Sequence, residues 1–296
     1  MAILKRKIKL IIFFIIFIII SPIIVLYAKG DIFTDGWSIL KTGGIYVEEA
    51  PIGSEVILNS KSKETTSFFN RNVLIKNLRP GTYEVKIKKE GYNTWFKKIK
   101  VSNNLVSDAD VFMLPEKIET REIPKYMEAS IDSTSTKVVK INNQEYVDIM
   151  KLFTATSTKL SKTASTTNID FKSNLGISLS PIMNNKLGVW KEKTKIFVQW
   201  FGRNDSAPKY LCDKNAECTK SRLVFELAKE SRKLNFLPGY DGVILVATEG
   251  LVFAVQIEDN PDKMVQIVYK GKNPDFRLKD NLLYVKDGEK IFEILL

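Results

Sequence analysis

An uninterrupted apolar run at residues 10–27 is the first feature of the hydrophobic pattern. It contains 18 uncharged residues, mostly Ile and Phe, with no polar face. A helix of that length is about 27 Å long, close to the roughly 30 Å hydrocarbon core of a bilayer. We expect residues 10–28 to be a transmembrane signal anchor in contact with the lipid bilayer. A buried core helix would show a polar face. A cleaved signal peptide is the alternative, although its apolar region is usually about 7 to 15 residues and residues 26–28 lack the small-x-small pattern of a cleavage site.

Charged residues orient this expected helix. Four positive residues precede the apolar run: Lys5, Arg6, Lys7 and Lys9. Cytoplasmic flanks of membrane helices carry an excess of Lys and Arg. Residues 1–9 are therefore expected to be a cytoplasmic basic tail, residues 29–42 a juxtamembrane linker, and the remainder extracytoplasmic. The expected localisation is a single-pass protein of the cell membrane with its N-terminus in the cytoplasm.

Residues 43–115 alternate apolar and polar positions with a period of two. In one run, Tyr83, Val85 and Ile87 share a face and charged residues occupy the other. Six such short runs, separated by turn residues and without a helical repeat, predict a small antiparallel β-sandwich. Pro80-Gly81 is a turn signal that favours a positive φ at Gly81, and Gly91 marks the end of a strand.

Two separated motifs in this region resemble the PEGA domain family. The first is the turn Pro51-Ile52-Gly53-Ser54, which differs from the family name at Ile52 and Ser54. The second runs Leu-x-Pro-Gly-x-Tyr-x-Val-x-Ile from Leu78 and is followed by Gly-Tyr. The resemblance implies a compact β-sandwich found in envelope and surface proteins, without catalytic residues. It implies turn and core roles for Pro51, Gly53, Pro80, Gly81, Tyr83, Gly91 and Tyr92.

Trp95 and Phe96 are adjacent in one of the expected strands. Successive side chains of a strand point to opposite faces of the sheet. One of these two aromatic rings is therefore a candidate for an exposed surface that stacks on sugars or binds a partner. A covered sheet edge is the alternative.

Within residues 118–296, a Ser/Thr-rich stretch between residues 153 and 168 predicts a long loop. An internal repeat follows it. Paired apolar runs begin at residues 187 and 195, 243 and 251, and 282 and 290, so the offset is 8 in each copy. Residues 137 and 145 begin a weaker fourth pair. The dipeptides Asp287-Gly288 and Glu249-Gly250 between paired runs predict hairpins.

The second copy reads as four strands in about 40 residues, and the repeat thus resembles β-propeller blades. The third copy stops after three strands, and residues 119–127 are the candidate for its missing outer strand. A four-bladed ring, a ring completed by a partner, and a β-meander remain open. The expected fold class is all-β after one N-terminal transmembrane helix, with a PEGA-like β-sandwich followed by a β-propeller-like or β-meander domain.

The amino-acid composition excludes several common kinds of catalytic site. The chain has no His, which excludes Ser-His-Asp and Cys-His nucleophile systems, and 2 Cys, which cannot close a four-ligand zinc site. With no Gly-rich phosphate loop, we expect no enzyme and no catalytic, cofactor or metal residues.

Cys212 and Cys218 form an even pair in an expected exported segment, which predicts a disulfide. A redox-active pair is disfavoured because the spacing is not Cys-x-x-Cys.

The charge balance bears on partners. Five of the 45 basic residues and none of the 34 acidic ones lie in the first 30 positions, which leaves 40 against 34, a net charge of +6. This mild positive field favours anionic envelope polymers or lipid headgroups, although a merely solubilising surface is the alternative. The expected location argues against nucleic acid.

Three functions follow as hypotheses. The first is a membrane-anchored extracytoplasmic surface protein, a non-enzymatic binding or scaffold module for a cell-envelope polymer or a membrane or surface protein. The second is an extracellular hydrolase on a propeller scaffold that uses paired carboxylates. Its candidates are Asp205, Asp213, Asp241 and Asp259. The third is an assembly factor of a membrane complex, which would expose an apolar patch.

Overall fold

The computed structural model describes residues 2–28, 32–33, 39–66, 71–130, 138–154, 171–172, 178–179, 181–208, 211–212, 217–218, 220–240, 242–257 and 264–296. The chain divides into two compact units, Met1–Met113 and Leu114–Leu296. Most of the expected juxtamembrane linker and most of the Ser/Thr-rich stretch lie outside the described residues.

The N-terminal apolar run forms helix α1, Ala2–Ala28. From Leu10 to Val25 its large apolar side chains are 46–68% exposed. Among the described residues, however, no helix is both long and apolar enough to cross a membrane. The expected fold class is therefore wrong in its transmembrane helix at residues 10–28.

The first unit contains a short antiparallel pair, β1 (Ile32–Phe33) with β2 (Ile39–Leu40), and then two sheets. Their seven strands are β3 (Gly43–Glu48), β4 (Glu55–Leu58), β5 (Lys61–Thr65), β6 (Val73–Leu78), β7 (Gly81–Lys88), β8 (Trp95–Val101) and β9 (Val106–Asp110). The strand orders are β6-β3-β9 and β5-β4-β7-β8. Buried side chains alternate with exposed ones along both sheets, as in a β-sandwich.

Two details of this unit differ from the expected antiparallel sandwich. Strand β9 pairs with β3 in parallel, with Tyr46 opposite Asp108. The apolar run ADVFML at residues 109–114 is one of the six expected strands, but only its first two residues belong to β9, and residues 111–113 are buried without belonging to a strand. Strand β5, with the sequence KSKET, has no apolar residue to signal it, and it forms because its backbone completes the edge of β4.

Over its described residues, the second unit has one α-helix, α2 (Gln144–Thr154), and one short 3-10 helix, Asn204–Ser206. Its strands are β10 (Glu119–Ile123), β11 (Tyr126–Ser130), β12 (Val138–Asn142), β13 (Phe171–Lys172), β14 (Ser178–Leu179), β15 (Ile182–Asn184), β16 (Leu187–Glu192), β17 (Lys195–Trp200), β18 (Arg222–Glu226), β19 (Lys233–Phe236), β20 (Val243–Ala247), β21 (Leu251–Gln256), β22 (Val265–Lys270), β23 (Pro274–Lys279), β24 (Leu282–Asp287) and β25 (Lys290–Leu295). Three four-stranded antiparallel sheets dominate, in the orders β15-β16-β17-β18, β19-β20-β21-β22 and β10-β25-β24-β23. The pairs β11-β12 and β13-β14 are separate.

The three runs offset by 8 residues are the hairpins β16-β17, β20-β21 and β24-β25. Gly250 and Gly288 occupy the second and third of these turns with φ values of 86° and 63°. A side chain is disfavoured at such positive φ, which is why glycine follows Glu or Asp there. Strand β22 is the expected outer strand of the second copy.

The missing fourth strand of the last sheet comes from the start of the unit. Strand β10 pairs antiparallel with β25 over five residue pairs, from Glu119 opposite Leu295 to Ile123 opposite Ile291. Residues 119–127 were the sequence-based candidate for this strand, and the pairing confirms it over residues 119–123. The remaining part, from Tyr126, belongs to the separate hairpin β11-β12.

The weaker fourth copy is wrong in its second half. Residues from 145 onward form helix α2, so the fold is not all-β after the first helix. Asn143 caps the N-terminus of the helix, since its Oδ1 accepts a hydrogen bond from the Glu145 amide at 3.0 Å. Tyr146, Ile149 and Phe153 recur at helical spacing, and the first two are buried against the β10-β25-β24-β23 sheet.

Arg121 on β10 connects this sheet to α2. Its Nε donates to Glu293 Oε2 on β25 at 2.7 Å, and two further nitrogens donate to Glu145 at 2.5 and 3.2 Å. The hydrogen bonds from Arg121 lower the pKa of the Glu145 carboxyl below its ordinary value of 4.5. The Glu293 side chain is only 9% exposed. A buried carboxylate is costly without a cationic partner. Arg121 therefore stabilises the buried Glu293 carboxylate on β25 and also binds Glu145 on α2.

We predict that Arg121→Met lowers the free energy of unfolding by about 1–3 kcal/mol, because it leaves a buried carboxylate without its donor. Urea unfolding measures the change. Arg203→Met is the matched control, since Arg203 forms an exposed pair with Asp205, and its effect should stay within about 0.5 kcal/mol. Adding Glu293→Leu to Arg121→Met should recover part of the loss. Equal effects of the two single variants would contradict this assignment.

Candidate functional site

The outer face of the β5-β4-β7-β8 sheet is the candidate site. Trp95 points inward and is fully buried, whereas Phe96 lies on the opposite side of β8 and is half-buried. Trp95 therefore belongs to the core, and of the two aromatic candidates only Phe96 reaches this outer face. The alternation of side chains along β8 decides the difference.

Lys86 lies between two apolar residues on this face. The strand register places it opposite Ile57 on β4 and opposite Phe96 on β8. Its Nζ lies 5.9 Å from the centroid of the Phe96 ring. This is the outer limit of a cation–π contact, so the ammonium group sits beside an aromatic surface while its stem covers part of the sheet.

Three further lysines continue the face on β7 and β8. We call the whole set the lysine face, and its members are Ile57, Lys86, Lys88, Phe96, Lys98 and Lys100. Lys88, Lys98 and Lys100 are exposed. Two glutamates share the same side of the sheet, opposite Lys88 and Lys98 in register. Four ammonium groups against two carboxylates leave this face positive.

The outer face of the other sheet has the opposite sign. Glu48 on β3 lies opposite Asp110 on the parallel strand β9, with Asp108 two residues earlier. Burial, and then the charges of Asp110 and Asp108, raise the pKa of Glu48 above its ordinary value. Over the described residues, no group of three or more His, Cys, Asp or Glu is arranged to hold a metal ion. The two outer faces of this unit therefore carry opposite net charges.

The PEGA turn is closed by hydroxyl groups. Ser54 Oγ donates to the Pro51 carbonyl at 2.6 Å, and Gly53 has a φ of 82°. Thr66 Oγ1 accepts from the Ser54 amide at 2.8 Å and donates to the same Pro51 carbonyl at 2.8 Å. Sequence reasoning missed Thr66, because its partners are 12 and 15 residues away along the chain. The Ser in place of Ala at position 54 therefore supplies a hydrogen bond.

The second motif is placed on β6, β7 and the turns that flank them. Gly91 has a φ of 75°, but Gly81 begins β7 without a positive φ, and Asn77 takes the positive value of 59° instead. The chain still turns at residues 79–80 between β6 and β7, and Asn77 lies within β6 where its register with β3 shifts. Tyr83 Oη donates to the Arg79 carbonyl at 2.9 Å, and the Tyr92 ring lies 4.3 Å from Lys89 Nζ.

Cys212 and Cys218 form a disulfide with an S–S distance of 2.05 Å. Among the carboxylates proposed for hydrolysis, Asp205 is exposed and paired with Arg203 at 2.5 Å. The other three candidates lie outside the described residues: Asp213, Asp241 and Asp259. The structure thus describes the surroundings of Asp205 alone among these four.

Comparison with known proteins supports the identity of the first unit. Residues 42–113 match the family model of the PEGA domain, which confirms the resemblance drawn from the two motifs. This match indicates an extracellular or surface binding module. A comparison with curated proteins finds no match.

One similar solved structure is described as "AfRom2 CNH domain". It shares 10% sequence identity with a TM-score of 0.23, and the alignment covers 79% of this chain. This chain spans 65% of the length of that structure. Similarity at this level supports no argument about fold or function.

Because Trp95 points into the core and Phe96 points outward, we predict unequal losses of stability when each is replaced by Ala. Trp95→Ala should lower the free energy of unfolding by about 3–5 kcal/mol, because it empties the core. Phe96→Ala should lower it by no more than about 1 kcal/mol, because the ring lies on the outer face. Thermal and urea unfolding of both variants measure the contrast. A loss for Phe96→Ala as large as that for Trp95→Ala would place both rings in the core.

The disulfide predicts a modest, local stabilisation. Replacing both cysteines by Ser should lower the free energy of unfolding by about 2 kcal/mol, because the bridge closes a loop with a sequence separation of only 6. Urea unfolding of the oxidised wild type, the reduced wild type and the double variant measures it. The last two should agree. Alkylation of a thiol in the unreduced protein would contradict the bridge.

Proposed function

We propose that this chain is a non-enzymatic binding and scaffold module that works outside the cytoplasm, and that its lysine face binds an anionic polymer of the cell envelope. The ligand carries phosphate or carboxylate groups at regular intervals along its backbone. The observation that carries the proposal is the cluster of four lysines around Phe96 and Ile57 on one exposed sheet face.

The spacing of the lysines suits a repeating ligand. Lys86 and Lys88 are two residues apart on β7, as are Lys98 and Lys100 on the adjacent strand β8. Same-face residues of a strand are separated by about 6.5 Å and neighbouring strands by about 4.8 Å. The face therefore presents a small grid of ammonium groups, and an extended chain of anions contacts several of them at once.

Energetics favour a long ligand over a small anion. A single exposed ion pair contributes at most about 1 kcal/mol, and salt screens it. Several such contacts along one polymer raise the overall affinity, because each later contact forms within the same complex. Phe96 and Ile57 add apolar area that covers the carbon framework of the polymer.

Two further observations support the location. The PEGA match is to a family of surface modules, and a disulfide persists in oxidising compartments outside the cytoplasm. The mild net positive charge of the chain adds long-range attraction to anionic polymers.

A protein partner is the second candidate, and one observation favours it. In the hairpin β11-β12, Met127 lies opposite Ile141, and both side chains are more than half exposed. A pair of exposed apolar side chains on a two-stranded hairpin offers an edge and a face to another protein.

The test is binding of the full chain to immobilised polymers, in mild detergent because α1 exposes apolar side chains. The probes are a polyglycerol phosphate, a polygalacturonate and the neutral polymer dextran. We predict binding to at least one polyanion and not to dextran. Raising the salt concentration from about 0.05 to about 0.5 M should weaken it at least tenfold.

A matched pair of double variants locates the site. Lys86→Glu with Lys88→Glu changes the lysine face, and Lys41→Glu with Lys76→Glu makes the same charge change elsewhere on the unit. The first pair should weaken polyanion binding at least tenfold more than the second. Phe96→Ala should weaken it less, about threefold, by removal of apolar contact. Equal losses for the two double variants, or no polyanion binding by the wild type, would refute the proposal.

A further inference from the structure

A pocket of about 690 Å³ lies in the second unit, where one edge strand from each of its three four-stranded sheets contributes to the lining. The end of β15, the β19-β20 connection and the β23-β24 turn each contribute one wall. Six polar or aromatic residues of the lining matter here: Asn184, Asn235, Tyr240, Lys279, Asp280 and Asn281.

Backbone geometry holds the walls in place. Asp280 and Asn281 both have positive φ, 51° and 62°, and they form the two-residue turn between β23 and β24. Asp and Asn tolerate this conformation, so the turn places a carboxylate and a carboxamide at the rim. Gly239, with a φ of 80°, turns the chain toward Tyr240 on the second wall.

The pocket has an apolar base below this polar rim. Phe236 and Leu237 are buried there, and Met183 and Leu278 are half-buried at the sides. The Asn235 carboxamide is oriented, because its Oδ1 accepts a hydrogen bond from the Phe236 amide at 2.8 Å. An oriented amide loses little conformational entropy when it binds a ligand.

We propose that this pocket binds a short neutral oligosaccharide. Its volume falls within the roughly 300–1,000 Å³ typical of ligand pockets. Carboxamide and carboxylate groups supply both donors and acceptors, which match sugar hydroxyls that donate and accept. The Tyr240 ring and the apolar base match the carbon–hydrogen faces of a sugar ring.

The charges of the lining select against other ligands. Lys279 and Asp280 are adjacent and of opposite sign, so the rim has no net charge to attract an ionic ligand. Asp280 is the single acidic residue of the described lining, and among the described residues no group of three or more His, Cys, Asp or Glu could hold a metal ion. The site goes beyond the proposed polyanion binding, since it lies in the other unit and takes an uncharged ligand.

The test uses the full chain with cellotetraose, maltotetraose and chitotetraose as probes. Saturation-transfer NMR detects contact, and calorimetry gives the dissociation constant. We expect at least one of the three sugars to bind, with an affinity that changes less than twofold between about 0.05 and 0.5 M salt. The lack of a salt effect follows from an uncharged ligand.

A matched pair of double variants tests the location. Asn184→Ala with Tyr240→Ala alters two walls of the pocket, and Asn142→Ala with Tyr126→Ala removes the same residue types from the exposed hairpin β11-β12. The pocket variant should lose at least tenfold in affinity and the hairpin variant less than twofold.

Polyanion binding by the pocket variant serves as the folding control, because the lysine face lies in the other unit. Retained polyanion binding with loss of sugar binding supports the pocket. Failure of all three sugars to bind the wild type, or equal affinity of the two double variants, would overturn the inference. Neither result bears on polyanion binding, so the two proposals fail separately.

Discussion

Pairing between β10 and β25 is the constraint on which the second unit depends. It joins residues near positions 119 and 295 through a five-residue antiparallel register. Closing so long a loop is entropically costly, and the pairing offsets this because it completes a four-stranded sheet whose inner side chains, such as Ile123 and Ile291, are buried. Arg121 adds a charge-assisted contact to the buried Glu293 and extends the arrangement to α2 through Glu145. The beginning and end of the unit therefore stabilise each other.

The completed sheet is also what gives the pocket its third wall. The first two sheets share one apolar core that includes Val189, Ile196, Ile244 and Val255. Strand β23 of the third sheet packs against β20 and β21 of the second sheet, and its Phe276 side chain is fully buried. With β23 held in place, its turn at Asp280 meets the ends of β15 and β19. The position of the polar rim thus depends on the packing of buried side chains, such as Phe276, elsewhere on the same strands.

In the first unit, the pleat of a single sheet produces both stability and the candidate site. Val85, Ile87, Trp95 and Ile99 point into the core, and the lysines between them point outward. The period-two pattern of residues 82–92 predicted a strand with one wet side, and the structure agrees. The pattern could not show that β8 lies beside β7 with Lys86 opposite Phe96, because that register depends on pairing across the sheet.

By itself, the sequence determined most of the strands, the three hairpins offset by 8 residues, the disulfide and the closing role of residues 119–123, because each depends on local periodicity, turn chemistry or a repeated spacing. Helix α2 has local signals of its own, the Asn143 cap and the helical spacing of its apolar residues, which the 8-residue offset misread as a strand. Tertiary structure alone decided the parallel pairing of β9 and the polar strand β5. It also decided the lysine face and the pocket. Residues such as Thr66, Glu293 and Asn184 carry no local signal, since their partners are distant along the chain and meet them only when the sheets pack.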